Sequence, residues 1–124
     1  EDCSSLKVAP ALPATELAKG CYKTMFDGCS SLKVAPVLPA MELKDFCYRY
    51  MFDGCSKLSS VTMLAEDVSA AYCLNLWLDD AGTSAQSRTL KLKNSSVYNA
   101  IKDYYLPDNW KSGASGTTII FEEQ

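Results

Sequence analysis

The stretch CSSLKVAPVLPAMELKDFCYRYMFDG, residues 29–54, decides the fold, because residues 3–28 spell almost the same text. The two segments differ only at the pairs Ala11/Val37, Thr15/Met41, Ala18/Lys44, Lys19/Asp45, Gly20/Phe46, Lys23/Arg49 and Thr24/Tyr50. Cys3, Cys29 and Cys55 mark one column of the repeat and Cys21, Cys47 and Cys73 another, each at a spacing of 26. Residues 55–80 keep only Cys55, Ser56, Leu58, Leu64, Cys73 and Asp79 of this text. Ala81 stands where a further cysteine would fall, and the repetition ends there. A period of 26 lies within the roughly 20–29 residues of leucine-rich repeats, whose units bury their apolar faces only by stacking.

Inside a unit the pattern divides in two. Leu32-Lys33-Val34-Ala35 reads as a short strand stopped by Pro36 and Pro39, which cannot donate to a ladder. Strands one period apart should stack in parallel. The run from Glu42 to Phe52 reads as a helix, since Leu43, Cys47 and Met51 recur every fourth residue with Phe46, Tyr48 and Phe52 widening the stripe. Gly54 closes it. The first unit repeats this with Leu17, Cys21, Met25, Phe26 and Gly28, weakened by Gly20 at a cost of about 1 kcal/mol relative to alanine. In the third unit Leu58–Leu64 is the strand. Asp67 or Ser69 caps a helix over residues 70–78, with Trp77 and Leu78 where Met51 and Phe52 stood.

Residues 82–124 change character. Residues 82–87 are small and polar, a loop. Thr89–Lys93 alternates as a half-buried strand, and Asn94-Ser95-Ser96 opens a helix over residues 97–105 with Val97, Ile101 and Tyr104 on one face. Pro107 ends it, and Thr117–Phe121 is a last strand. The expected fold is α/β: a short leucine-rich-repeat-type solenoid with parallel stacked strands, helices on the opposite side, and a C-terminal α+β cap. Its units are 1–28, 29–54 and 55–81, and residues 82–124 cap the last repeat within the same domain. At least about three stacked repeats are usually needed for stability, so the degraded third unit and the cap belong to the fold.

The text MFDGCSSLKVAPxLPA followed by CYxxMF resembles the cysteine-containing leucine-rich repeats of BspA-type bacterial surface proteins, well over residues 1–80 and loosely beyond. CLNLWLDDAG, LPDNW and TTIIF are similar to the closing segment of such arrays. The resemblance implies a secreted or outer-surface protein of anaerobic bacteria with a binding or adhesion role, and it implies no chemistry. The third unit departs from the pattern by lacking the Pro-x-Leu-Pro segment. Glu1-Asp2-Cys3 stands where Asp27-Gly28-Cys29 stands later, so the chain opens inside a unit. Either the chain is a trimmed segment or its apolar N-terminal face is covered by something else, an end-to-end homodimer being one expected cover.

Charge and composition narrow the function. A net charge of −3 argues against nucleic acid and against a polybasic membrane contact. No apolar run approaches the roughly 20 residues that span a bilayer. Histidine is absent, which removes the commonest general base and metal ligand. The six cysteines stand three to a column, form no C-x-x-C pair and lack histidine partners, so neither zinc nor a column-wise disulfide framework fits. We expect six buried free thiols packing as small hydrophobes. Asp27, Asp53 and Asp79 form a further column, read as turn formers before glycine rather than as a cation rail. No catalytic residue, metal site or cofactor is expected.

Candidate binding residues are Lys7, Lys33 and Ser59, which share one face of the stacked strands if Leu32 and Val34 point inward. A solvated lysine edge that discourages aggregation explains them equally well. Tyr104, Tyr105 and Trp110 make a candidate exposed aromatic cluster suited to a sugar. The expected function is a non-enzymatic extracellular module presenting a repeat surface to a protein or glycan partner, with a spacer or stalk as the alternative.

Overall fold

The computed structural model describes Gly20 and residues 22–122. Its elements are β1 (Val34–Leu38), β2 (Ser60–Met63), β3 (Arg88–Leu92), the helix α1 (Ser95–Ile101), a 3₁₀ turn (Asp108–Trp110) and β4 (Thr117–Phe121). The strands form one four-stranded parallel sheet in the order β1-β2-β3-β4. Each strand thus lies beside the next in sequence. The stretch 82–124 is more than a lid, because β3 and β4 continue the same sheet.

Within β2 and β3, alternation decides which side chains enter the core. Val61, Met63, Leu90 and Leu92 are buried, while Ser60, Thr62, Thr89 and Lys91 face outward and are partly exposed. β1 departs from the expected strand. It runs through Pro36 rather than stopping there, and its register shifts between Val34 and Val37. Pro36 sits in this bulge, where the missing amide breaks no ladder bond. Val34 is 45 % exposed, which corrects the expectation that it points inward alongside Leu32.

The larger correction lies opposite the sheet. Residues 42–52 and 70–78 are expected from the sequence to be helical; instead residues 45–54 and 71–84 are chains of turns. The amides of Cys47, Arg49, Met51 and Asp53 close turns onto the carbonyls of Lys44, Phe46, Tyr48 and Tyr50. The intervening amides leave the segment altogether. Phe46, Tyr48, Tyr50, Phe52 and Gly54 donate to Ala71, Cys73, Asn75, Trp77 and Asp79 at 2.9–3.1 Å. Gly20, Tyr22, Thr24, Phe26 and Gly28 donate to Asp45, Cys47, Arg49, Met51 and Asp53 in the same way. From Phe46 to Gly54 every amide is satisfied, alternately within the segment and by the next pass of chain.

The burial pattern explains why a helix loses. Leu43, Cys47, Tyr48, Met51, Phe52 and Cys55 are buried, a strict period of four. An α-helix has 3.6 residues per turn, so this stripe would drift by about 40° every four residues. A turn every four residues keeps it facing the core. That geometry places Phe46, Tyr50, Tyr72, Leu76 and Asp80 at φ between 54° and 61°. Gly20, which weakens a helix, takes φ 66° without steric cost at the place Phe46 holds in the next pass.

Stacking aligns like with like. Tyr22 lies on Tyr48 with ring centroids 6.2 Å apart, Phe26 on Phe52 at 5.7 Å and Phe46 on Tyr72 at 5.5 Å. Trp77 and Leu78 fill the places of Met51 and Phe52 and are fully buried. Asn94 caps α1 by accepting from the Val97 amide, as the sequence implies, and Val97 and Ile101 turn inward. Tyr104 lies beyond the end of α1, in a turn, and is not on its buried face.

The cysteine columns are core positions, with one correction. Cys47, Cys55 and Cys73 are free and buried. Cys55 donates to the Phe26 carbonyl at 3.1 Å and Cys73 to that of Val68 at 3.3 Å. Cys29, by contrast, is disulfide-bonded, and its partner lies outside the described residues. Six free thiols are therefore not what the fold holds. Cys3, Cys21, Lys7 and the N-terminal face through which a homodimer was expected also lie outside the described residues.

Candidate binding surfaces

The outer sheet face carries two straight rows of side chains. The strand register aligns Val34, Ser60, Thr89 and Thr118 in one and Val37, Thr62, Lys91 and Ile120 in the other. Val37 is 51 % exposed and Ile120 41 %, so the second row offers apolar ends around a threonine and a lysine. Lys33 and Ser59 lie just before β1 and β2. The Ser59 amide and hydroxyl both donate to the Lys33 carbonyl, at 2.8 and 3.1 Å. Ser59 thus ties one pass to the next, while the Lys33 side chain is exposed beside a shallow hollow of about 360 Å³ shared with Lys57 and residues 84–87.

The turn face is acidic and aromatic. Oxygens of Asp53, Asp79 and Asp80 lie within 4.8 Å of one another. Burial, followed by the charges of Asp27, Asp79 and Asp80, holds the Asp53 carboxyl above its ordinary value of 3.8. The amides of Asp27, Asp53 and Asp79 close turns onto Thr24, Tyr50 and Leu76, in keeping with a turn-forming role. Just above the ordinary carboxylate range the folded state holds more protons at Asp53 than the unfolded chain, so stability falls as pH rises through that window. Asp53→Asn is expected to raise the thermal midpoint at pH 7, with the gain vanishing at acid pH where Asp53 is protonated in both states. Thermal melts across pH check this.

Nearby, Arg49 is held in place by rings. Its guanidinium lies 4.9 Å from the Tyr50 centroid, 5.5 Å from Phe46 and 5.8 Å from Tyr72, and its Nε donates to Asn75 Oδ1 at 2.9 Å. No reading of the sequence singled out this cluster, which joins residues one repeat apart.

The expected aromatic cluster divides. Trp110 is fully buried, and its Nε1 donates to the Ala81 carbonyl at 2.9 Å. It is a core residue and not a binding residue. Tyr104 is 85 % exposed and Tyr105 half-buried, its phenol pushed up chiefly by burial. Both line a hollow of about 480 Å³ together with Glu66, Asp67, Ser69 and Ala100. Ser69 donates its amide and hydroxyl to Asp67 at 3.0 and 2.6 Å, and these bonds hold the Asp67 carboxyl below its usual range. The sequence reading took Asp67 or Ser69 for a helix cap; no helix follows, and the place of the 66–69 loop beside the turn after α1 is set by the stacking of β2 on β3.

Comparison of the chain with protein-family models, with curated proteins and with solved structures yields no match in any of the three.

Proposed function

We propose that this chain is a non-enzymatic interaction module, a leucine-rich-type solenoid that presents its outer sheet face to a protein or glycan partner at a bacterial cell surface. The carrying observation is the pair of aligned rows on that face, above all Val37–Thr62–Lys91–Ile120. The chemistry of the described residues supports a binding role. Burial pushes the Cys55 thiol up to about 12 and that of Cys73 to about 11, so both stay protonated and unreactive at neutral pH. The BspA-type resemblance of the repeats supports adhesion outside the cell.

An array of matrix proteins and glycans tests the proposal. Retention of the chain, lost in Lys33→Glu/Lys91→Glu, is the expected result. Retention that ignores these changes, or no retention on any surface, would favour a spacer instead.

A further inference from the structure

We propose that the cleft between the 66–69 loop and the turn following α1 binds lysine or arginine side chains of a basic segment on a partner protein. This site is separate from the outer sheet face and goes beyond the role proposed for it. Three observations carry the inference. The first is space: the cleft measures about 480 Å³ and adjoins a hollow of about 370 Å³ that shares Asp67 and Ser69 with it. Cavities of roughly 300–1,000 Å³ are those that take organic ligands.

The second is the ring at its mouth. Tyr104 stands 85 % exposed, and a cation over such a face is attracted by the ring quadrupole. On the other side of Tyr104 a smaller hollow of about 170 Å³ carries Asp79. The ring therefore stands between carboxylates.

The third is charge. Glu66 and Asp67 line the cleft, and Glu42 and Asp45 line its extension. Glu42 is paired with Lys44 at 3.5 Å, and Glu66 is reached by Lys93 only at 4.0 Å. Among the described residues no ion pair is drawn to Asp67. Over residues 42–82 the sequence sets seven carboxylates, Glu42, Asp45, Asp53, Glu66, Asp67, Asp79 and Asp80, against Lys44, Arg49 and Lys57, and Arg49 is held among its own rings, while Lys93 reaches Glu66 from β3's end. Such a surface repels anions and leaves a neutral sugar's ring stacking without a charge partner. Basic side chains satisfy both the ring and the carboxylates.

Titration of the full chain with triarginine and trilysine amides, followed by amide chemical shifts, tests the site. Shifts centred on residues 66–69 and 100–105 are expected, weakening with salt as exposed charges are screened. Tyr104→Ala and Asp67→Asn should each reduce affinity by about tenfold. Asparagine at 67 can still accept from Ser69, and Tyr104 supports no core packing, so both variants should fold. Parallel arms use a neutral disaccharide and a glucosamine disaccharide. Absence of peptide shifts, an affinity unchanged from the parent in both cleft variants, or tighter binding of either disaccharide at the same residues would each overturn the proposal.

Discussion

Replacing Arg88 by methionine is expected to remove about 3–5 kcal/mol of stability, a large share of what a domain of this size possesses. Arg88 begins β3 and is the buried charged residue of the described core, with 8 % of its surface exposed. Its Nε donates to the Asn109 carbonyl and to Thr117 Oγ1, both at 2.9 Å. Nη1 donates to the carbonyls of Gly82 and Ala85 at 2.9 and 3.0 Å, and Nη2 to that of Ser115 at 2.6 Å. One guanidinium thus satisfies backbone carbonyls from the loop before β3, from the 3₁₀ turn and from the approach to β4. Methionine fills similar space but strands these acceptors, and each buried unsatisfied group costs about 1–3 kcal/mol. Lysine should fare little better, because a single ammonium cannot span the fork. The site is also tight: a Cβ on Gly82 would lie 2.8 Å from Arg88 Cδ and 2.9 Å from the Leu58 carbonyl. Urea unfolding of Arg88→Met and Arg88→Lys measures the effect, and an unchanged midpoint in both would contradict the role of this hub.

Trp110→Ala is expected to cost a further large amount, about 3–5 kcal/mol, as for other buried aromatic truncations. The ring is fully buried and its Nε1 shares the Ala81 carbonyl with Asn109 Nδ2, at 2.9 and 3.0 Å. Trp110→Phe keeps much of the apolar body and leaves Asn109 on that carbonyl, so about 1–2 kcal/mol is expected. Tyr104→Ala, at an exposed position, should stay within about 0.5 kcal/mol of the parent. Denaturant melts of the three variants separate core from surface. A Trp110→Ala protein as stable as the parent would return Trp110 to the surface cluster.

How much of this was legible in the sequence depended on the range of the interactions involved. The C-terminal strands came out nearly to the residue, whereas the helix ends at Ile101, four residues before the expected Tyr105. Asn94 caps its helix, and Thr117–Phe121 forms its strand, because capping and alternation are local. The parallel stack followed from the 26-residue period. The turn face did not, since half of its amides bond to carbonyls 25 residues ahead, and no local pattern announces that. The strict period of four was the available signal, and it was absorbed into a helical stripe. Arg88 carried a signal too. It shares the parity of Leu90 and Leu92, so extending the strand back by one residue points a guanidinium into the core. Among the candidate binding residues, Tyr104 and Tyr105 were singled out from their type, and the carboxylates lining the same hollow come from another stretch of chain. Lys33 and Ser59 remain neighbours across passes, tied by backbone and hydroxyl bonds rather than set as a matched pair of ligand contacts.

The stacking of turn on turn, with no helix among the described residues of the repeats, is tested most directly by scalar couplings transmitted across backbone hydrogen bonds in the folded chain. The stacked arrangement predicts couplings from the Tyr48 amide to the Cys73 carbonyl and from the Phe52 amide to the Trp77 carbonyl. Couplings from these amides to the carbonyls of Lys44 and Tyr48, four residues back, would mark an α-helix and contradict it.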